Sequence, residues 1–168
     1  MTDPSNIRSN YLEVSIAADT FTIRFEPAFS LTAGSRQRAR QATKLVRSFL
    51  RKLPNCEVGV ESNAVLATLL STNSREIAQI VDFLETTLTH LAREKLTAKA
   101  VEEVLQVTAI ERQRWTKDGR LPSAGDAFIQ RGQKVRLLTY APELIAQLVT
   151  KPATIETWRM SDRARVAA

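Results

Sequence analysis

The stretch Leu96–Pro122, LTAKAVEEVLQVTAIERQRWTKDGRLP, leaves the backbone few ways to run. Thr97 has the hydroxyl that an N-cap needs, and Val101, Val104 and Leu105 follow at helical spacing, which predicts a helix over 98–105. Gln106, Val107 and Thr108 are too few for a loop, so the chain must turn tightly. Thr108 and Glu111 then have the spacing of a capping box, in which the hydroxyl accepts from the N–H three residues on and the carboxylate reaches back to the first N–H. The second helix carries Arg112, Gln113, Arg114 and Trp115. It is expected to stop at Asp118-Gly119, because glycine adopts the left-handed conformation that follows a helix. Two helices joined by about three residues is the helix-turn-helix pattern, whose second helix can lie in a DNA major groove.

The same stretch resembles the winged helix-turn-helix domains of MerR-type regulators and of phage or plasmid excisionases. The shared elements are Leu96-Thr97, the pair Val104-Leu105, Val107-Thr108 in the turn, Trp115, and Asp118-Gly119-Arg120-Leu121-Pro122, with no gap. That pattern has a glycine where this chain has Gln106. It also has an apolar residue in mid recognition helix where this chain has Arg112, with Ile110 as the apolar residue nearby. The resemblance spans 96–149 and implies a recognition helix followed by a β-hairpin wing. The DNA-binding residues it points to are Thr108, Arg112, Gln113, Arg114, Lys117 and Arg120, with Arg131, Lys134 and Arg136 on the wing. Arginine pairs bidentately with guanine and glutamine with adenine, so two of Arg112, Gln113 and Arg114 are expected at base edges and the third at a phosphate. Lys117 and Arg120 suit the backbone, and the wing cations suit the flanking backbone or a narrow minor groove. Trp115 and Tyr140 read as core.

The 168 residues allow one generous domain or two small ones. The expected class is α+β: an N-terminal two-layer α/β domain over 1–95, built from hairpins plus two helices, then the winged domain over 96–150 and a C-terminal helix or tail over 151–168. Residues 1–10 read as a disordered start. Residues 11–16 and 21–25 alternate apolar with polar and predict a hairpin through 17–20. Ser35 can cap a helix running to Leu53, where Pro54 stops it. Residues 56–60 and 64–70 predict a second hairpin turning at Ser62-Asn63, although the run 64–70 suits a helical turn equally well. Ser74 then caps a helix to about 95 with an apolar stripe of Ile77, Ile80, Val81, Leu84, Leu88 and Leu91. This order, ββα twice, hints at duplication. After the helix-turn-helix, residues 127–130 and 134–140 predict the wing hairpin. Pro142 opens a short helix to 149, and Pro152 opens a last one that could pack on the domain, on a partner or on DNA.

A net charge of +6 and a pI near 9.9 favour a polyanionic partner. The helix after Ser35 has seven cations and no acid, and Arg40, Lys44, Arg47 and Arg51 fall on one stripe. Together with Arg36 they read either as a second phosphate-contacting face or as a solvated surface. The sequence has no P-loop, no dinucleotide fingerprint and no nucleophile elbow, and its single histidine, His90, has no partner at ligand spacing. Cys56 is the only cysteine. No catalytic residue, metal site or cofactor is therefore expected. With no membrane span and no signal-peptide pattern in view, a cytoplasmic, nucleoid-associated location is expected. The leading expectation is a homodimeric, sequence-specific regulator that binds double-stranded DNA. The alternatives are an excision accessory factor of a mobile element that bends DNA, and an interaction module, such as an antitoxin or adaptor, holding a protein partner through 1–95.

Overall fold

The computed structural model describes residues 7, 9–70, 73–131 and 133–167, without the side chains at 129–131, 133, 134 and 167. The architecture is mixed α+β. The chain divides into two compact units, Met1–Thr32 with Arg36–Ala92, and Arg93–Ala168 with Ala33–Ser35.

In the first unit, β1 (Leu12–Ala17) and β2 (Thr20–Phe25) form one antiparallel hairpin, and β3 (Cys56–Glu61) and β4 (Ala64–Leu70) form another. The run 64–70, which the sequence leaves open between strand and helix, is a strand. The two hairpins join through β2 and β4 into a sheet of order β1-β2-β4-β3. Register makes the joint apolar: Phe21 faces Leu69, Ile23 faces Ala67 and Phe25 faces Val65, all buried. That face is covered by α2 (Arg36–Leu50), through Ala42, Val46 and Leu50, and by α3 (Ser74–Arg93), through Ile77, Val81, Leu84, Leu88 and Leu91. The helices also meet through Phe49 and Phe83, stacked with ring centroids 4.6 Å apart. A single-turn helix, α1 (Phe29–Thr32), precedes α2 and is too short to leave a periodic signal.

Two local expectations change here. The side chain capping α3 is Asn73, whose Oδ1 accepts from the Arg75 N–H at 3.1 Å, one residue before the expected Ser74. The expected disordered start falls mostly outside the described residues, but Ser9 and Asn10 are held. The Asn10 N–H and Nδ2 donate to Glu85 Oε1 at 3.1 and 2.7 Å, and Ser9 Oγ donates to Glu85 Oε2. Burial works to raise the Glu85 pKa, but these bonds outweigh it and hold the carboxyl low.

The second unit opens with β5 (Leu96–Thr97), then α4 (Ala98–Leu105), α5 (Ala109–Lys117), β6 (Asp126–Arg131), β7 (Gln133–Tyr140), α6 (Pro142–Thr150) and α7 (Pro152–Ala167). β6 and β7 form a hairpin, and β5 adds a third strand by pairing Leu96 with Tyr140 and Thr97 with Thr139. Trp115, Leu121, Tyr140, Val101 and Ile145 are fully buried at the centre. The last helix belongs to this core. Ile155 is buried in it, and Trp158 meets Trp115 edge-on at 5.0 Å between centroids. No helix among the described residues is long and apolar enough to cross a membrane.

Candidate functional site

The joint between α4 and α5 is built by local chemistry. Thr97 Oγ1 accepts from the Ala100 N–H at 3.3 Å and starts α4. Gln106 ends α4 at φ 52, ψ 48, and the Val107 N–H closes back onto the Glu102 carbonyl at 3.1 Å. Glutamine thus occupies the left-handed conformation that glycine accepts without strain, at a cost of about 1–2 kcal/mol. The capping box forms as the spacing predicts. Glu111 N–H donates to Thr108 Oγ1 at 3.1 Å, and Thr108 N–H donates to Glu111 Oε2 at 2.8 Å. At the far end Gly119 has φ 84. The Leu121 N–H donates to the Trp115 carbonyl at 2.9 Å, which turns Leu121 inward.

α5 has two unlike faces. Arg112 and Trp115 point inward, while Ala109, Ile110, Gln113, Arg114 and Lys117 are exposed. Arg112 is therefore not at the surface where base reading needs it. It is 7% exposed, its Nε donates to Glu102 Oε1 at 2.7 Å, and its Nη1 donates to the Tyr140 hydroxyl at 2.8 Å. Its charge is spent tying α5 to α4 and β7. Ile110, 68% exposed, is the apolar residue that faces solvent. Thr108 stands exposed at the helix start with its hydroxyl engaged in the capping box.

Arg120 is also committed to the fold instead of standing free for a phosphate. Its guanidinium lies over the rings of Trp115 and Trp158, 5.7 and 6.0 Å from their centroids. It donates to Asp118 at 2.9 Å, to Asp162 Oδ1 at 2.6 Å and to the Trp158 carbonyl at 3.3 Å. Asp162, on α7 and 8% exposed, gathers three donors, because its Oδ2 accepts from Trp115 Nε1 at 2.9 Å and from Arg114 Nη1 at 3.0 Å. Arg114 keeps half its side chain in solvent despite that bond. Arg163 of α7 is exposed and lines the same shallow cleft as Arg114.

These donors fix the ionisation of Asp162. The Arg120 bond, opposed by burial and supported by Trp115 and Arg114, pulls its pKa from the usual 3.8 to about 2. A folded-state pKa below the unfolded one means a stabilising contribution that is complete above about pH 4 and is lost as pH falls. For Asp162 that loss runs down through about pH 2. The melting temperature of the wild type should fall across this window more steeply than that of Asp162→Asn, which lacks the ionisable group at every pH. Parallel melting profiles for the two would remove Asp162 as the titrating latch.

On the hairpin, Arg136 is 70% exposed and bonded to Asp126 at 2.6 Å, an exposed pair that solvent and salt screen. The side chains of Arg131 and Lys134 lie outside the described residues. Phe128 and Val135 are exposed on the strands. The stripe on α2 is in the first unit. Arg40, Lys44 and Arg51 are exposed and Arg47 is half-buried, while Arg36 is exposed but engaged with the fold. Ile110 and Arg163 are exposed here but lie outside the contact residues expected from the sequence, which placed Ile110 only as the apolar neighbour of Arg112. The signal for Ile110 was present, because a buried Trp115 puts position 112 on its own face and position 110 on the opposite one. No protein-family model, no curated protein and no solved structure matches this chain.

Proposed function

We propose that residues 96–150 form a winged helix-turn-helix domain that binds double-stranded DNA sequence-specifically, and that the protein is a homodimeric transcriptional regulator. The observation that carries this reading is the division of α5. One face is locked by Arg112 and Trp115, and the other offers Ile110, Gln113, Arg114 and Lys117 to solvent. Glutamine and arginine are the side chains that pair with adenine and guanine edges, and an apolar side chain such as Ile110 suits a thymine methyl. Lys117 and Arg136 are free to follow phosphates, since an exposed pair such as Arg136–Asp126 exchanges at little cost.

Both departures from the family pattern are accommodated, which further supports the reading. Gln106 adopts the glycine conformation, and Arg112 fills an interior position with its charge paired.

Selection from a pool of random duplexes at physiological salt tests the proposal. An enriched motif is expected, arranged as an inverted repeat with half-sites about one helical turn apart. A direct repeat would move the protein to the excision-accessory class, and enrichment of nothing would sink base reading altogether. Gln113→Ala should relax one base position at a cost of about 1–3 kcal/mol, with no change in melting temperature.

A further inference from the structure

The second unit's shallow cleft beside α5 mixes charges, with Glu111, Glu156 and Asp162 facing Arg114, Arg159 and Arg163. The groove along α2 does not. It encloses about 430 Å³ and is lined by Arg40, Lys44, Arg47 and Arg51 together with Thr43, Ser48 and Asn63, with no acidic residue. The helix treats its cations in two ways. Arg38 is buried and donates from Nη1 to the Ala92 carbonyl at 3.2 Å, and Arg36 is engaged as well. Among the described residues, the four that line the groove have no ion pair and no side-chain hydrogen bond, and Arg47 Nε is buried without any acceptor. A buried guanidinium donor left without a partner is uncommon in folded proteins, and the exposed Arg40, Lys44 and Arg51 beside it are the cations that an acceptor from outside can reach.

We propose that this groove seats the phosphodiester backbone of a nucleic acid, as a contact separate from α5 and needing no winged helix. The shape of the cation array selects a linear polyanion over a single phosphate. Arg40, Lys44, Arg47 and Arg51 lie at i, i+4, i+7 and i+11, and the Arg51 N–H still bonds the Arg47 carbonyl at 3.1 Å, so the helical rise carries through. At about 1.5 Å per residue the stripe is about 16 Å long. One DNA strand presents a charge about every 3.4 Å of axis, so about five phosphates lie along that length. A lone phosphate would use one or two of the four cations and leave the others repelling. Because every contact is to backbone, the groove adds affinity and position but no base preference.

The test is binding of the full-length chain to a labelled random-sequence duplex, followed by anisotropy between about 50 and 200 mM salt. Arg40→Gln with Lys44→Gln removes two exposed charges and leaves the core untouched. The slope of log K against log salt should become shallower by about 1.8, or about 0.9 for each phosphate released. Arg40→Lys with Lys44→Arg keeps the charges and should keep the slope. An unchanged slope in the glutamine pair overturns the proposal, as does equal loss in the charge-keeping pair.

The same comparison in a Gln113→Ala, Lys117→Ala background separates this contact from α5. If α5 does not read DNA, the 1.8 difference persists there undiminished. If the groove is empty of DNA, an enriched base motif for the wild type can still stand. Capture of anionic phospholipid vesicles that depends on Arg40 and Lys44, with duplex binding indifferent to them, would assign the groove to a membrane surface and overturn it.

Discussion

Replacing Trp115 by alanine should remove about 4 kcal/mol from the stability of the second unit. The indole is fully buried, meets Trp158 edge-on at 5.0 Å, carries the Arg120 guanidinium over its face and donates from Nε1 to Asp162. Truncation therefore opens a cavity and deprives Asp162 of a donor at the same time. A domain of this size has about 5–15 kcal/mol in total, so the loss takes a large share of it. Trp115→Phe keeps most of the ring volume and gives up the Nε1 bond, at a cost of about 1–2 kcal/mol. Urea unfolding followed by circular dichroism measures both. On the proposed DNA-binding function, the phenylalanine variant should bind duplex DNA as the wild type does, because the ring is fully buried in the core. If it stays fully folded but loses binding, Trp115 belongs to the interface, and the division of α5 into a locked face and an open one is wrong.

What could be read from the sequence was whatever depends on neighbours along the chain. The ends of α4 and α5 were legible because Thr97, the Thr108–Glu111 box and Gly119 are local chemistry, complete within a few residues. Phe21, Ile23 and Phe25 declared a strand by alternation. The side chains that decide the site were a different matter. Arg112, Arg114 and Arg120 are chemically identical in sequence, and their fates differ only through partners brought in from elsewhere. Arg112 depends on Tyr140 and Glu102, and Arg120 on Trp158 and Asp162. Asp162 itself lies more than forty residues from the donors it gathers. β5 was hidden for a related reason, since two residues carry no periodicity and its pairing with Tyr140 and Thr139 is long-range. Asn73 and Ser74 are both capping residues, and adjacent ones cannot be ranked without the backbone that precedes them.

Arg112→Ala separates a structural arginine from a base-reading one. It should cost about 3 kcal/mol of stability and, on the proposed DNA-binding function, leave the base preference of the folded protein unchanged. Removing one member of a buried pair strands the other, but the Glu102 side chain is 26% exposed and water can reach it, which places the cost at the low end for such pairs. The Tyr140 hydroxyl keeps Thr116 Oγ1 at 2.9 Å, so it is not left without a partner. Arg112→Lys should recover little, because Nε and Nη1 serve Glu102 and Tyr140 at once and a single ammonium group cannot replace that fork. Arg112→Leu combined with Glu102→Leu removes both charges together. It should return to within about 1 kcal/mol of the wild type, since apolar packing commonly replaces a buried ion pair without loss. Denaturant unfolding and duplex selection, run on the same variants, read the two properties separately. Normal stability with one base position lost from the motif would put Arg112 in the DNA groove. Reduced stability with an intact motif, restored by the double leucine variant, is what an arginine buried between α4, α5 and β7 must give.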